Sequence, residues 1–213
     1  MRNIIGFILA VLIVFGCNTS KITSTWKAAY MPQKEYHHIL VLGIINDKDR
    51  SIREKMENHF IGDLNELGYT AFSSLKEYGP KAFGKTDENA AIHTLSNSGM
   101  DAVITIVLLD KKKERKYVPS HALYPVAGNY SNRFWEYQTA LNQRIFEPGY
   151  YVTDTRYFWE TNFYDVATQK LVYSAQTKSF DPANAESMGH EYGRMVVKDM
   201  VKQNVLKDLT GKF

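Results

Sequence analysis

The chain has 213 residues, of which 44% are hydrophobic and 23% charged, and its formal net charge is +3 with neutral histidines. A single cysteine excludes a disulfide framework, because one thiol cannot pair within its own chain. The low counts of glycine and proline, 13 and 6, exclude a collagen-like chain and argue against a wholly disordered one. Without a leader, roughly 170 to 190 residues would remain, which is ample for one domain with its own core.

The amino terminus has the pattern of a secretory signal peptide that ends at the cysteine. Arg2 supplies a positive charge, and Ile4 to Phe15 form an apolar run. The run is too short to cross a hydrocarbon core, which needs ~20 helical residues, and it has the length typical of a signal peptide. The small residue Gly16 precedes Cys17. We therefore predict a leader over residues 1–16, cleaved between Gly16 and Cys17.

The motif Val14-Phe15-Gly16-Cys17 resembles the lipobox of bacterial lipoproteins. This resemblance implies that the Cys17 thiol is diacylated and that the new amino terminus receives a further acyl chain such as palmitate. Three acyl chains would anchor the protein firmly, because each buried methylene contributes about 0.8 kcal/mol. By the same resemblance, Asn18 rather than aspartate after the cysteine favours the outer membrane, with the domain facing the periplasm. An ordinary signal peptide with an incidental cysteine and an uncleaved anchor are the alternatives.

The mature chain is expected to divide into a short tether and one domain. Residues 18–25 are mostly small and polar, so residues 17–36 are interpreted as the lipidated cysteine and a flexible tether. Residues 37–213 are then a single domain, and no internal repeat divides them.

The first half of this domain predicts alternating strands and helices. Ile39 to Ile45 is continuously apolar, which is typical of a strand covered on both faces. A helix follows, since apolar residues recur every three or four positions at Ile52, Met56, Phe60, Leu64 and Leu67, with Gly68 placed to end it. The remaining elements are a strand over Tyr69–Ser73, a helix from Thr86 or Asp87 to Gly99, and a strand over Ala102–Leu109.

The second half predicts an antiparallel hairpin and a final helix. Aromatic and β-branched residues alternate from Tyr151 to Phe163, which indicates a strand with one more polar face. Asp165 to Lys170 is the turn, Leu171 to Phe180 the return strand, and a helix follows Asp181-Pro182. The predicted fold class is therefore α/β: β-α-β-α-β, then the hairpin and a C-terminal helix, with one mixed sheet packed by about three helices.

Between the halves, residues 111–149 predict a long connection that is rich in aromatic side chains. Half of the chain's aromatic residues lie within residues 117–164. Exposed rings make large contacts at a small entropy cost, so we select candidate partner contacts in and beside this stretch, namely Trp135, Tyr137, Tyr150 and Tyr151. The alternative is that the rings fold back and cap the sheet. The basic run Lys111–Lys116 is interpreted as a solvated turn.

The motifs of common catalytic and cofactor sites are missing from the sequence. No G-x-G-x-x-G or phosphate-binding loop follows the first strand, and the six histidines have no metal-ligand spacing. No nucleophile elbow occurs, and Asp154 and Glu160 would lie about 20 Å apart along one strand, too far for a glycosidase pair. We assign no catalytic residue, metal, nucleotide or other cofactor, and the predicted compartment excludes nucleic acid.

Several short segments together resemble a family of uncharacterised lipoproteins of Gram-negative bacteria. Besides the lipobox, these segments are Ile39–Ile44, Gly99–Val103, Tyr117–Pro119, Glu160–Asp165 and Lys170–Ala175. The family is similar to the small α/β domains of the curli-secretion lipoprotein and of the amino-terminal part of the Tol-system propeller protein. Those domains assemble with other envelope components, so the resemblance implies an interaction function and offers no catalytic residue.

The function predicted from the sequence is that of an accessory or assembly factor of the cell envelope. The domain would be anchored by lipid at Cys17 and would bind a protein, glycan or lipid partner. Two alternatives remain: an enzyme acting on envelope polymers, which two convergent carboxylates or a histidine beside a serine would favour, and a purely structural homo-oligomer, which an exposed sheet edge would favour.

Overall fold

The chain folds as one mixed α/β domain. The computed structural model describes residues 20–30, 32, 34–45, 50–81, 83, 88–118 and 148–211. The strands are β1 (Ser20–Lys27), β2 (His38–Ile44), β3 (Thr70–Ser73), β4 (Ala102–Val118), β5 (Tyr150–Asp165) and β6 (Leu171–Phe180). The helices of the described part are α1 (Arg50–Glu66), α2 (Ser74–Tyr78), α3 (Glu88–Asn97) and α4 (Ala185–Lys202). The predicted fold class is confirmed.

The six strands form a single sheet in the order β1-β6-β5-β4-β2-β3. β2 lies in the middle of a parallel half, since it pairs in parallel with both β3 and β4. β1 pairs antiparallel with β6, and a short turn joins β5 to β6 as a hairpin. The described residues form two compact units: those within 1–110 and 157–213 form the core unit, and those within 111–156 form the ribbon unit.

The apolar stripe of α1 is buried as its spacing predicts. Its members Ile52, Met56, Phe60, Leu64 and Leu67 are all buried in the core. Gly68 follows with φ +94°, a conformation that glycine adopts without steric cost. The β2 and β4 runs are buried too, and Trp159 and Phe163 of β5 complete the same core.

The hairpin turn confirms the expectation that an aspartate begins it. Asp165 Oδ1 accepts hydrogen bonds from the backbone N–H and the hydroxyl of Thr168, each at 2.7 Å. Gln169 has φ +57°, so it occupies the left-handed position where a glycine is usual. The turn therefore forms although the residue that would favour it most is absent.

The structure differs from the expected tether, because Ser20–Lys27 within residues 17–36 forms strand β1. Most of its side chains are exposed, so it lacks the apolar alternation that identifies a half-buried strand. Its partner is β6, and Ser20 Oγ donates a 2.8 Å hydrogen bond to Ser179 Oγ across 159 positions of sequence. The sheet therefore begins three residues after Cys17.

Two other boundaries also move. β4 continues to Val118, so the basic run Lys111–Lys116 is part of a strand and not the solvated turn that we expected. Cross-strand partners in β5 explain this extension, as described below. α4 begins after Asn184, three residues beyond Asp181, because Asn184 caps the helix by accepting from the backbone N–H of Ser187 at 2.9 Å.

Helices α1 and α4 approach each other closely through glycine. A Cβ on Gly193 would overlap Asp63 Oδ2, and one on Gly189 would lie 2.9 Å from His59 Cδ2. Asp63 is buried at this contact, and its Oδ2 has no hydrogen-bond partner among the described residues. Burial, with a smaller contribution from Glu66, raises the pKa of Asp63 to about 6 from an ordinary 3.8. The helix contact thus contains a carboxylate whose charged form is disfavoured.

We expect Asp63→Asn to stabilise the protein at pH 7 to 8 by roughly 1 to 3 kcal/mol. The folded-state pKa is raised, so the wild-type free energy of unfolding falls as the pH rises from about 4 to about 6. The advantage of the variant should therefore shrink below pH 6 and vanish near pH 4. Urea denaturation followed by circular dichroism across this range measures it. Glu54→Gln, an exposed change on the same helix, is the control, and parallel wild-type and Asp63→Asn curves from pH 4 to 8 would contradict the prediction.

Candidate functional site

Open α/β sheets bind ligands at the carboxyl ends of their parallel strands. Residues 43–44 of β2 and Ser73 of β3 mark this edge. In this chain the edge is filled by a side chain of the protein itself, the buried carboxylate of Glu57 from α1.

Glu57 accepts five hydrogen bonds, which we call the Glu57 network. Oε1 and Oε2 accept from Gly43 N at 2.9 Å, Arg53 Nε at 3.0 Å, Ser74 Oγ at 3.0 Å, Ser73 Oγ at 2.5 Å and Leu75 N at 3.1 Å. Arg53 also donates to Ser74 Oγ at 3.1 Å and to the carbonyl of Pro80 at 3.0 Å. The hydrogen-bond donors at this edge could otherwise hold a bound anion, but they already bind the carboxylate of Glu57. The edge therefore has a structural role.

The ribbon unit has one face of paired charges. Lys116 Nζ lies 2.5 Å from Asp154 Oδ2, and Arg156 Nη2 lies 2.6 Å from Glu114 Oε2. Each step of two along β4 is matched by a step of two backwards along β5, which is the register of an antiparallel pair. These cross-strand pairs account for the basic run being a strand, since alternate charges find a partner on β5.

Aromatic side chains gather on the opposite face of the ribbon from those charges, because they alternate with the charged residues along β4 and β5. The rings of Tyr117 and Tyr151 have centroids 5.2 Å apart, and the Arg115 guanidinium lies 4.1 Å from the Tyr151 centroid. We call these three residues the tyrosine cluster. Tyr117 and Tyr151 are 55% and 58% exposed, and the neighbouring Tyr150 is 47% exposed. Large rings are therefore held in place by each other and by a cation, while much of their surface faces solvent.

The tyrosine cluster has the chemistry of a binding surface. Two rings held by contacts within the ribbon lose little entropy when a partner covers them, and their hydroxyls can hydrogen-bond at the rim. The guanidinium over the Tyr151 ring adds a cation–π contact and further donors. Such a surface suits a protein or glycan partner.

The structure places only some of the predicted site residues. Tyr150 and Tyr151 are exposed in the ribbon unit, as a contact surface requires. Gly16, Cys17, Trp135 and Tyr137 lie outside the described residues, so their roles remain predictions. Sequence reasoning assigned no contact role to Arg115 or Tyr117. If the basic run had been interpreted as a strand, its alternating side chains would have placed Arg115 and Tyr117 on the same face.

The carboxylates of Asp154 and Glu160 and the imidazole of His59 all have structural partners. Asp154 pairs with Lys116, and Glu160 accepts hydrogen bonds from Asn162 Nδ2 at 2.9 Å and Gln176 Nε2 at 3.0 Å. His59 Nε2 lies 2.7 Å from Glu186 Oε1. Within the described ranges, no three histidine, cysteine, aspartate or glutamate side chains come together as a metal site. No helix in the part of the chain that the structure describes is long and apolar enough to span a bilayer.

No protein-family model matches the chain, and no curated protein matches it. Among solved structures, it is similar to the PelC dodecamer from Paraburkholderia phytofirmans, with 10% identity, a TM-score of 0.46, and coverage of 84% of this chain and 94% of that one. It is also similar to the lipoprotein GNA1162 from Neisseria meningitidis, with 16% identity, a TM-score of 0.40, and coverage of 79% and 98%. Likeness at this level establishes neither a family nor a function.

We expect Glu57→Gln to destabilise the protein by about 3 to 5 kcal/mol, as breaking a buried charge pair does. All five partners of the carboxylate donate, so the amide NH₂ of glutamine must face donors and Arg53 loses its counter-charge. The free energy of unfolding, measured by urea denaturation, reports the loss. Glu54→Gln on the same helix should change it by less than about 0.5 kcal/mol. Equal stabilities of the two variants would contradict the role assigned to the network.

Proposed function

We propose that this chain is a lipid-anchored domain of the bacterial cell envelope that acts as an accessory or assembly factor. The observation that carries the proposal is the apolar amino-terminal segment that runs into Gly16-Cys17, followed within three residues by the first strand of a folded domain. Acylation at Cys17 anchors that domain in the outer membrane with its fold in the periplasm. The lipid anchor holds the protein at the membrane, and the folded domain binds the partner.

Recognition is assigned to the tyrosine cluster, and Tyr150, which lies next to Tyr151 on the opposite face of β5, is proposed as a separate contact. The rings of Tyr117 and Tyr151 are exposed and pack against each other, which supports binding of a protein or glycan surface. Trp135 and Tyr137 are proposed as further contacts on the grounds of sequence alone. In this role the protein holds a partner near the membrane and carries out no reaction on it.

The two alternatives have different signatures. An enzyme acting on envelope polymers needs convergent catalytic groups, whereas Asp154 and Glu160 each have their own polar partners. A homo-oligomer built by edge pairing needs an accessible strand. β3 has four residues, while the edge strand β1 has eight but carries a register irregularity and two lysines, which discourage pairing. Light scattering of the purified protein measures the oligomeric state directly.

Changing Cys17 to Ser should move the protein from the membrane fraction to the soluble periplasmic fraction or leave it unprocessed in the inner membrane. Serine has no thiol to acylate, so neither the anchor nor lipoprotein cleavage can form. Density-gradient fractionation and the mass of the amino-terminal peptide check this. Asn18→Ser is the matched control and should stay membrane-bound. Outer-membrane fractionation of the Cys17→Ser protein would end the lipoprotein proposal.

Replacing Tyr150 and Tyr151 by alanine should abolish partner capture while changing the free energy of unfolding by less than about 1 kcal/mol, since both rings are largely exposed. A photo-crosslinking residue at position 153, which is exposed two residues further along the same strand, measures capture in intact cells with and without the two substitutions. The control is the same residue at position 30, where the tyrosine is 93% exposed and lies in the core unit. Identical crosslinks from both positions would contradict a specific surface, and a large loss of stability would show the rings to be structural.

A further inference from the structure

Helix α4 carries a row of basic side chains along its exposed face. His190, Arg194, Lys198 and Lys202 follow one another at intervals of four residues, and all four are exposed. Residues four apart share a face of a helix, so the side chains form one line about 18 Å long at 1.5 Å per residue. We call this line the basic row.

The basic row forms one wall of a groove whose other wall is the start of β1. The groove has a volume of about 550 Å³, and Ser20 and Ile22 line it from β1. Lys27, at the far end of the same strand, donates a 2.7 Å hydrogen bond to the carbonyl of Gln203, just after α4. The first strand of the domain and the basic row therefore lie side by side.

Acidic groups near the groove leave the positive charge in excess. Glu191 and Asp199 also line it. Asp199 Oδ2 accepts a 2.7 Å hydrogen bond from the Tyr173 hydroxyl of β6, which draws this carboxylate toward the sheet. Three permanent cations and two carboxylates line the groove, so its formal charge is three minus two, or +1 with His190 neutral. The open side of the groove is suited to an anion.

The position of Cys17 identifies the anion. Only Asn18 and Thr19 lie between Cys17 and Ser20, and the three Cα-to-Cα steps that join the two residues span at most about 11 Å. The layer of headgroups on each side of a bilayer is only several ångströms thick, since a core of about 30 Å lies within a total of 40–45 Å. An acylated Cys17 therefore keeps the mouth of the groove within about 11 Å of the lipid headgroups.

We propose that the groove between β1 and α4 docks on the membrane and binds the headgroups of anionic phospholipids through the basic row. This inference rests on the proposed lipid anchor and adds an orientation to it. Each basic residue near an anionic surface strengthens binding roughly fivefold, so three of them fix which side of the domain faces the bilayer. The anchored domain is then held against the membrane and does not swing freely around its lipid.

The test uses the full acylated protein in vesicles of phosphatidylcholine, with or without about 30% phosphatidylglycerol. An amine-reactive reagent labels the lysines, and mass spectrometry gives the rate for each one. Lys198 and Lys202 should be labelled at least about fivefold more slowly on the anionic vesicles, whereas Lys76 on α2 should be labelled equally on both. Salt at about 1 M should remove the difference, because the Debye length falls to about 3 Å.

A charge-removed variant separates lipid contact from local packing. Arg194→Gln with Lys198→Gln should return Lys202 to its rate on neutral vesicles, and Lys76→Gln with Lys81→Gln is the matched control that should retain protection. Circular dichroism verifies folding of both variants, and if the first fails to fold the wild-type comparison alone decides. Equal labelling of Lys198 and Lys202 on the two vesicle types overturns the inference.

The mass of the amino-terminal peptide distinguishes this failure from failure of the anchor. An acylated peptide with equal lysine labelling leaves the lipid anchor standing and removes only the docking groove. A peptide without acyl chains removes the anchor itself, and with it the argument that brings the groove to the headgroups.

Discussion

A single buried carboxylate connects the parallel half of the sheet to the helices around it. Glu57 extends from α1 and accepts hydrogen bonds from the end of β2, the end of β3 and the first turn of α2. An ionised carboxylate away from water is costly unless donors surround it, so these elements are held in one mutual arrangement. The Arg53 guanidinium completes the shell and reaches the carbonyl of Pro80 beyond α2. Open α/β sheets often bind a ligand at this edge. In this chain the same edge instead connects the sheet to α1 and α2.

Helix α1 also carries a second buried carboxylate, Asp63, whose environment disfavours the charged form. Asp63 lies six residues after Glu57 and faces Gly193 of α4, and its Oδ2 lacks a hydrogen bond within the described part of the chain. Glu57 is stabilised by donors, whereas Asp63 is opposed by burial and by Glu66, which together raise its pKa. Helix α1 is therefore held to the sheet by electrostatics at Glu57, and to α4 by close packing at Asp63 in spite of electrostatics.

The parts of the fold that could be predicted are those in which apolar side chains follow a clear period. The runs of β2 and β4 and the stripe of α1 bury large areas of surface, so their patterns predict their structure. β1 could not be recognised because its side chains are mostly exposed and its pairing partner lies about 150 positions away. Glu57 could not be recognised because a glutamate on a helix normally indicates a solvated face. Of the tyrosine cluster, the sequence indicates only Tyr151, because the Arg115 contact depends on a cross-strand register that composition does not reveal.

The pairing of β1 with β6 also has a consequence for biogenesis. Hydrogen bonds join Ser20 at one end of the domain to Ser179 near the other, so the edge of the sheet cannot close until the ribosome has made almost the whole chain. The segment that carries β1 is therefore synthesised first and acquires its partner last. Under the proposed lipidation, the modifying enzymes would meet this segment as an unpaired peptide. Late closure of the strand would then leave Cys17 accessible while it is processed.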